Sequence, residues 1–210
     1  ELTPGHCAAS GAMLARLQLA TRDFDQDREN DLSLAGWLSL AADCRQRADE
    51  CAPGLGDFID AELRWLAGHW PVAESLPRGV VHADLFPDNV LFSGDEITGV
   101  IDFYFACTDY YAYDLAVTLN AWSFDETQIF HPDRARALLA AYEEIRPLSE
   151  KERTALPAFA RGACLRFLLT RLYDWLNRDP AALVQVKDPL EYLAKSRFHR
   201  ENDFGAILHD

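Results

Sequence analysis

A chain of 210 residues, 49% of them apolar, buries roughly 70% of its unfolded surface on folding, so one domain with a proper core needs no disulfide to hold it. Its net charge of −14 comes with no lysine and arginine cluster interleaved with aromatics, a field that repels a phosphate backbone and argues against nucleic acid as a partner. Five scattered cysteines, odd in number and never spaced CxxC, read as buried, reduced thiols of a cytoplasmic protein. No basic and apolar leader opens the chain, and no run approaches the roughly 18 apolar residues of a membrane span.

In chain order, the apolar spacing of HCAASGAMLARLQLA (6–20) predicts a helix, and LSLAGWLSLAADCRQRADEC (32–51) predicts a second, stopped by Pro53 and Gly54. A third, DFIDAELRWLAGHW, runs to Pro71. The period then changes. GVVH, NVLFS and ITGVID are short, β-branched runs, the last two separated by the hairpin-like turn Ser93-Gly94-Asp95-Glu96. Helices resume near Asp109, at Pro132, at Ser149 with Glu152 three residues on as a capping box, and at Pro189, with a kink expected at Pro157. No internal repeat or charged linker marks a second domain. The expected class is α+β, mainly α, with helices packed around a short central β segment.

The chemistry concentrates in that segment. Asp84 follows His82 by two residues, Asn89 follows Asp84 by five, and Asp102 ends the next strand. One acid free to accept a proton, with an Asn and a second Asp converging from neighbouring strand ends, suits Mg²⁺-assisted phosphoryl transfer, because Mg²⁺ prefers a few hard oxygen ligands. Asp84 would take the proton of the attacking hydroxyl, and Asn89 and Asp102 would hold the metal. Taken singly, an Asp after a strand is most often a turn residue and a lone His a hydrogen-bonded core residue. It is the combination, with a strand on each side, that points to function.

The run HADLFPDNVLF, then GVIDFYFA and YDLAVTLNAW, resembles the aminoglycoside phosphotransferase and choline kinase superfamily, whose signature is His-x-Asp-x-x-x-x-Asn followed by Ile-Asp-Phe. Within it the wording is most similar to the bacterial type II homoserine kinases. The resemblance implies the C-terminal lobe of a protein-kinase-like fold over residues 1–210. It implies ATP as phosphoryl donor, Mg²⁺ as cofactor, and transfer to the side-chain hydroxyl of L-homoserine on the way to threonine. It assigns Asp84 as the catalytic Asp, Asn89 and Asp102 as metal ligands, and His82 and Asp114 as supports of the catalytic loop.

Kinases of this kind carry a glycine-rich loop and a strand lysine before the catalytic loop. Here no lysine precedes Asp84, the three being Lys151, Lys187 and Lys195, and Gly54-Leu-Gly56 is no phosphate loop. The expectation is a lobe without its ATP-binding partner lobe, inactive alone and prone to self-association through the face so exposed.

A homoserine site needs an acid, a base and a tight wall. Asp88 is a candidate for the ammonium, with a turn cap as its other reading. Arg161, Arg166 and Arg171 recur at intervals of five, turning roughly 140° each time, so they cannot share one helix face. Arg166 is the candidate for the carboxylate, against surface ion pairing. Tyr104 and Trp122 are candidate pocket walls, against plain core. Two other readings stay open: the same chemistry on a choline or aminoglycoside type of alcohol, and a non-catalytic lobe serving as a binding module. The second is disfavoured by the survival of all three site residues.

Overall fold

The computed structural model describes residues 2–71, 76–178 and 186–209. Helix α1 (Pro4–Ala20) starts two residues before the predicted run because Thr3 caps it, its hydroxyl accepting from the His6 amide. The second predicted helix breaks into α2 (Leu34–Cys44) and a single turn, α3 (Ala48–Cys51). Gly54, at φ 78°, then turns the chain into α4 (Leu55–His69).

Four short strands follow: β1 (Arg78–Val81), β2 (Val90–Ser93), β3 (Glu96–Val100) and β4 (Cys107–Tyr110). They form two antiparallel pairs. The β2–β3 hairpin turns at Gly94 (φ 60°), and β1 pairs with β4, Val80 opposite Thr108. Strand β4 was not predicted; it occupies the position expected to begin a helix, which starts instead at Tyr111.

Among the described residues five helices follow: α5 (Tyr111–Trp122), α6 (Pro132–Ile145), α7 (Glu150–Leu176), α8 (Leu190–Glu201) and α9 (Phe204–His209). The predicted capping box at Ser149 and Glu152 is present, and α7 continues as one helix through Pro157. Helix α5 is buried on every face, its Asp114, Thr118 and Asn120 included, so its sequence carries no solvent-facing polar stripe. It packs on α7, while α1 packs on α6 and α8 on α7. The α1–α6 contact is close enough that a Cβ added at Gly11 would collide with the Leu138 carbonyl. The loops after β1 and β3 thus emerge over a rigid helical base.

Candidate active site

The loop after β1 is held in a conformation it would not adopt alone. Ala83 has φ 61°, a left-handed geometry costly for a residue with a Cβ. Asp114, fully buried in the first turn of α5, fixes it by two bonds: the His82 amide donates to Oδ2 at 3.0 Å and the Ala83 amide to Oδ1 at 2.8 Å. The Ala83 carbonyl accepts from Arg166 Nη1, reaching over from α7. Two residues on, the Leu85 carbonyl accepts from the Trp122 indole at 2.8 Å.

His82 ties this loop to the strand end that carries Asp102. The Asp84 amide donates to His82 Nδ1 at 3.3 Å, which leaves Nε2–H to donate to the Ile101 carbonyl at 3.1 Å. The Ile101 amide donates in turn to the Asn89 carbonyl at 3.0 Å. Asp102 follows, two residues beyond the end of β3, at φ 62°. Asn89 spends its amide hydrogens on the Asp84 carbonyl (2.8 Å) and carboxylate (3.4 Å), so the oxygen is the end left for a cation.

Asp84, Asn89 and Asp102 line one cleft of about 420 Å³. Burial raises the pKa of Asp84; the Arg166 guanidinium opposes that shift and the Asp102 carboxylate adds to it. Burial also raises that of Asp114, against the pull of the loop amides. Asp102 is exposed, and its carboxylate makes no hydrogen bond or ion pair among the described residues. Two hard oxygen donors with open positions fit Mg²⁺, which keeps much of its shell as water and phosphate. Among the described residues no group of three or more His, Cys, Asp or Glu forms a closed metal cage.

The structure separates the predicted substrate residues. Arg166 lines the cleft, 1% exposed, its guanidinium 4.5 Å from the Phe167 ring centroid, so it is not a surface ion-pairing residue. Arg161 turns away to a bidentate pair with buried Glu62, and Arg171 binds Glu191 at 2.5 Å from the cleft edge. Asp88 lines the cleft with its side chain 84% exposed, 4.0 Å from Lys187.

The two aromatic walls are corrected. Trp122 is fully buried with its N–H committed to the loop, and Tyr104, 72% exposed, lies outside the cleft lining. Aromatic spacing carries no information about which ring the core swallows. The walls are instead Leu32, Leu40, Phe105 and Phe167, with Thr170 and Asp174. Arg166, Thr170 and Asp174 recur every four residues along α7, a stripe visible in the sequence that interval counting over arginines alone passed over. Leu91, Ile101, Phe103 and Tyr104, apolar chain neighbours of Asn89 and Asp102 at the rim of the cleft-bearing segment, are each exposed.

A helical base, two small β pairs and a loop that sets Asp84 opposite Asn89 and Asp102 define the phosphotransferase lobe of a protein-kinase-like fold. The crystal structure of an aminoglycoside phosphotransferase from Alicyclobacillus acidocaldarius superposes with a TM-score of 0.64 over 99% of this chain and 66% of that one, at 19% identity. Residues 1–148 match the phosphotransferase enzyme family, and the chain belongs to it.

Within the family it is 56% identical over 201 residues to the homoserine kinase of Xanthobacter autotrophicus, covering 96% of this chain and 62% of that protein. It is 57% identical over 208 residues to the homoserine kinase of Rhodopseudomonas palustris, covering 97% and 63%. The chain therefore spans a little over three fifths of the length of these relatives. Among the described residues no helix is long and apolar enough to cross a membrane.

Proposed function

We propose that the full-length enzyme transfers the γ-phosphoryl group of ATP to the side-chain hydroxyl of L-homoserine. The observation that carries the reading is the convergence of Asp84, Asn89 and Asp102 on one cleft, in a chain more than half identical to homoserine kinases. Asp84 accepts the hydroxyl proton as the oxygen bonds to the γ-phosphorus and the bond to the β-bridging oxygen breaks, releasing ADP. Asn89 and Asp102 would hold Mg²⁺, which when bound would supply positive charge against the phosphate oxygens. His82 and Asp114 keep the loop in place.

Arg166 is available to the amino-acid carboxylate, and Asp88 and Asp174 to its ammonium. These 210 residues are the acceptor and catalytic lobe. The further length of the relatives leaves room for the glycine-rich loop and lysine that clamp the nucleotide. The apolar rim beside the cleft is the surface such a lobe would cover, and the reason for the chain alone to self-associate. Five free thiols suit a cytoplasmic enzyme.

The test is a screen of the full-length protein with ATP and Mg²⁺ against homoserine, choline and an aminoglycoside, following ADP release and the phosphorylated product. Turnover of another alcohol with none of homoserine overturns the reading.

A further inference from the structure

Asp114 does not stand alone behind the loop. Its Oδ2 also accepts from Gln18 Nε2 of α1 at 3.3 Å, and Gln18 Oε1 accepts from the Tyr142 hydroxyl of α6 at 2.5 Å. The Tyr142 oxygen accepts from Arg146 Nη1 at 3.0 Å, and Arg146 Nη2 donates to Glu152 Oε1 at 2.7 Å. Gln18, Tyr142 and Asp114 are fully buried.

The polarity of the chain is dictated by its ends. Arginine can only donate, so Tyr142 must point its own proton at Gln18 Oε1, and the Gln18 NH₂ then faces Asp114 and the Tyr111 carbonyl, which can only accept and to which it also donates at 3.3 Å. Every bond runs the same way, from a fixed cation just past the end of α6 to the carboxylate that holds the His82 and Ala83 amides. Aligned bonds in a low-dielectric core polarise one another.

We infer that Gln18, Tyr142 and Arg146 are positioning residues, which act through Asp114 to hold the loop that presents Asp84. The inference rests on Asp84 being the proton acceptor. A core network serving stability alone has no need to end on the loop, and three segments of sequence build it, α1 through Gln18, the α6 end through Tyr142 and Arg146, and α5 through Asp114. The left-handed Ala83 is the strained element the relay restrains. If a link is cut, the loop relaxes and Asp84 drifts from the attacking oxygen, for which an error on the order of 1 Å costs up to about 10²-fold in rate.

The experiment uses the full-length enzyme with Tyr142→Phe, Gln18→Met and the double variant. Tyr142→Phe deletes one oxygen and keeps the ring, so it is the variant expected to fold with least disturbance. The relay predicts a kcat reduced about 10- to 100-fold per folded molecule in each single variant, with KM for ATP and acceptor within about twofold. It predicts that the double variant loses no more than the worse single one, because both cut the same chain. It also predicts faster hydrogen exchange at the His82 and Ala83 amides in all three. A lower melting temperature with kcat within about twofold of the parent, or multiplying losses with unchanged exchange at those amides, overturns it. The exchange measurement needs no substrate, so a parent enzyme inactive on homoserine would defeat the proposed function and leave the relay still tested.

Discussion

Replacing Asp114 by Asn tests how the loop is held. The carboxylate takes three donors: the His82 amide at 3.0 Å, the Ala83 amide at 2.8 Å and the Gln18 amide at 3.3 Å. An asparagine of the same shape has one acceptor oxygen, and its NH₂ must face a donor. With the oxygen on Ala83, the His82 amide loses its acceptor and Gln18 keeps only the Tyr111 carbonyl at 3.3 Å, so one N–H of each is unpaired in a buried site. A buried unsatisfied donor costs about 1–3 kcal/mol, so two such conflicts predict a loss of about 2–6 kcal/mol in unfolding free energy. The strain at Ala83 offsets part of this as the loop relaxes, by about 1–2 kcal/mol. The net expectation is about 1–4 kcal/mol, measured by urea denaturation of the full-length enzyme. In the folded variant kcat should fall about 10²-fold, because the relaxed loop no longer aims Asp84. A variant within about 0.5 kcal/mol of the parent, with kcat unchanged, would refute the idea that these bonds hold the loop.

On its proposed role, Asp84→Asn keeps the shape and removes the proton acceptor, so kcat should fall by about 10²-fold or more while ATP affinity measured by calorimetry barely changes. Asp102→Ala should abolish turnover and Asn89→Ala should raise the Mg²⁺ concentration for half-maximal rate; an unchanged Mg²⁺ dependence in either would remove that residue from the metal site. Because Asp84 works ionised and its pKa is raised, with Arg166 opposing the rise, activity should be lost on acidification at a higher pH than for an ordinary aspartate. Arg166→Met should move that limb of the kcat/KM profile further up; a limb that stays put or moves down contradicts the assignment. Gly11→Ala should destabilise the enzyme by about 1–3 kcal/mol in thermal unfolding, since α1 and α6 must part to admit a methyl group against the Leu138 backbone.

What the sequence determined was whatever is set by neighbours along the chain. The Ser149–Glu152 cap, Pro132 at a helix start and the Gly94 hairpin are local, and each stands where it was read. Asp84, Asn89 and Asp102 were legible because they lie close together along the chain, on a short loop and a hairpin, although α5 and α7 hold that loop in its conformation. Tertiary structure decided whatever depends on partners far away in sequence. Strand β4 forms only because β1, some thirty residues earlier, offers its edge, and nothing in Cys107–Tyr110 alone outweighs the helix beginning beside it. Trp122 reads as a pocket wall until the fold turns it inward onto Leu85. The direction of Arg166 depends on which face of α7 meets the loop. Gln18 and Tyr142, 124 residues apart, carry no sequence signal at all. A buried polar side chain is indistinguishable from a surface one until packing excludes water around it, and only then does its hydrogen bond become obligatory.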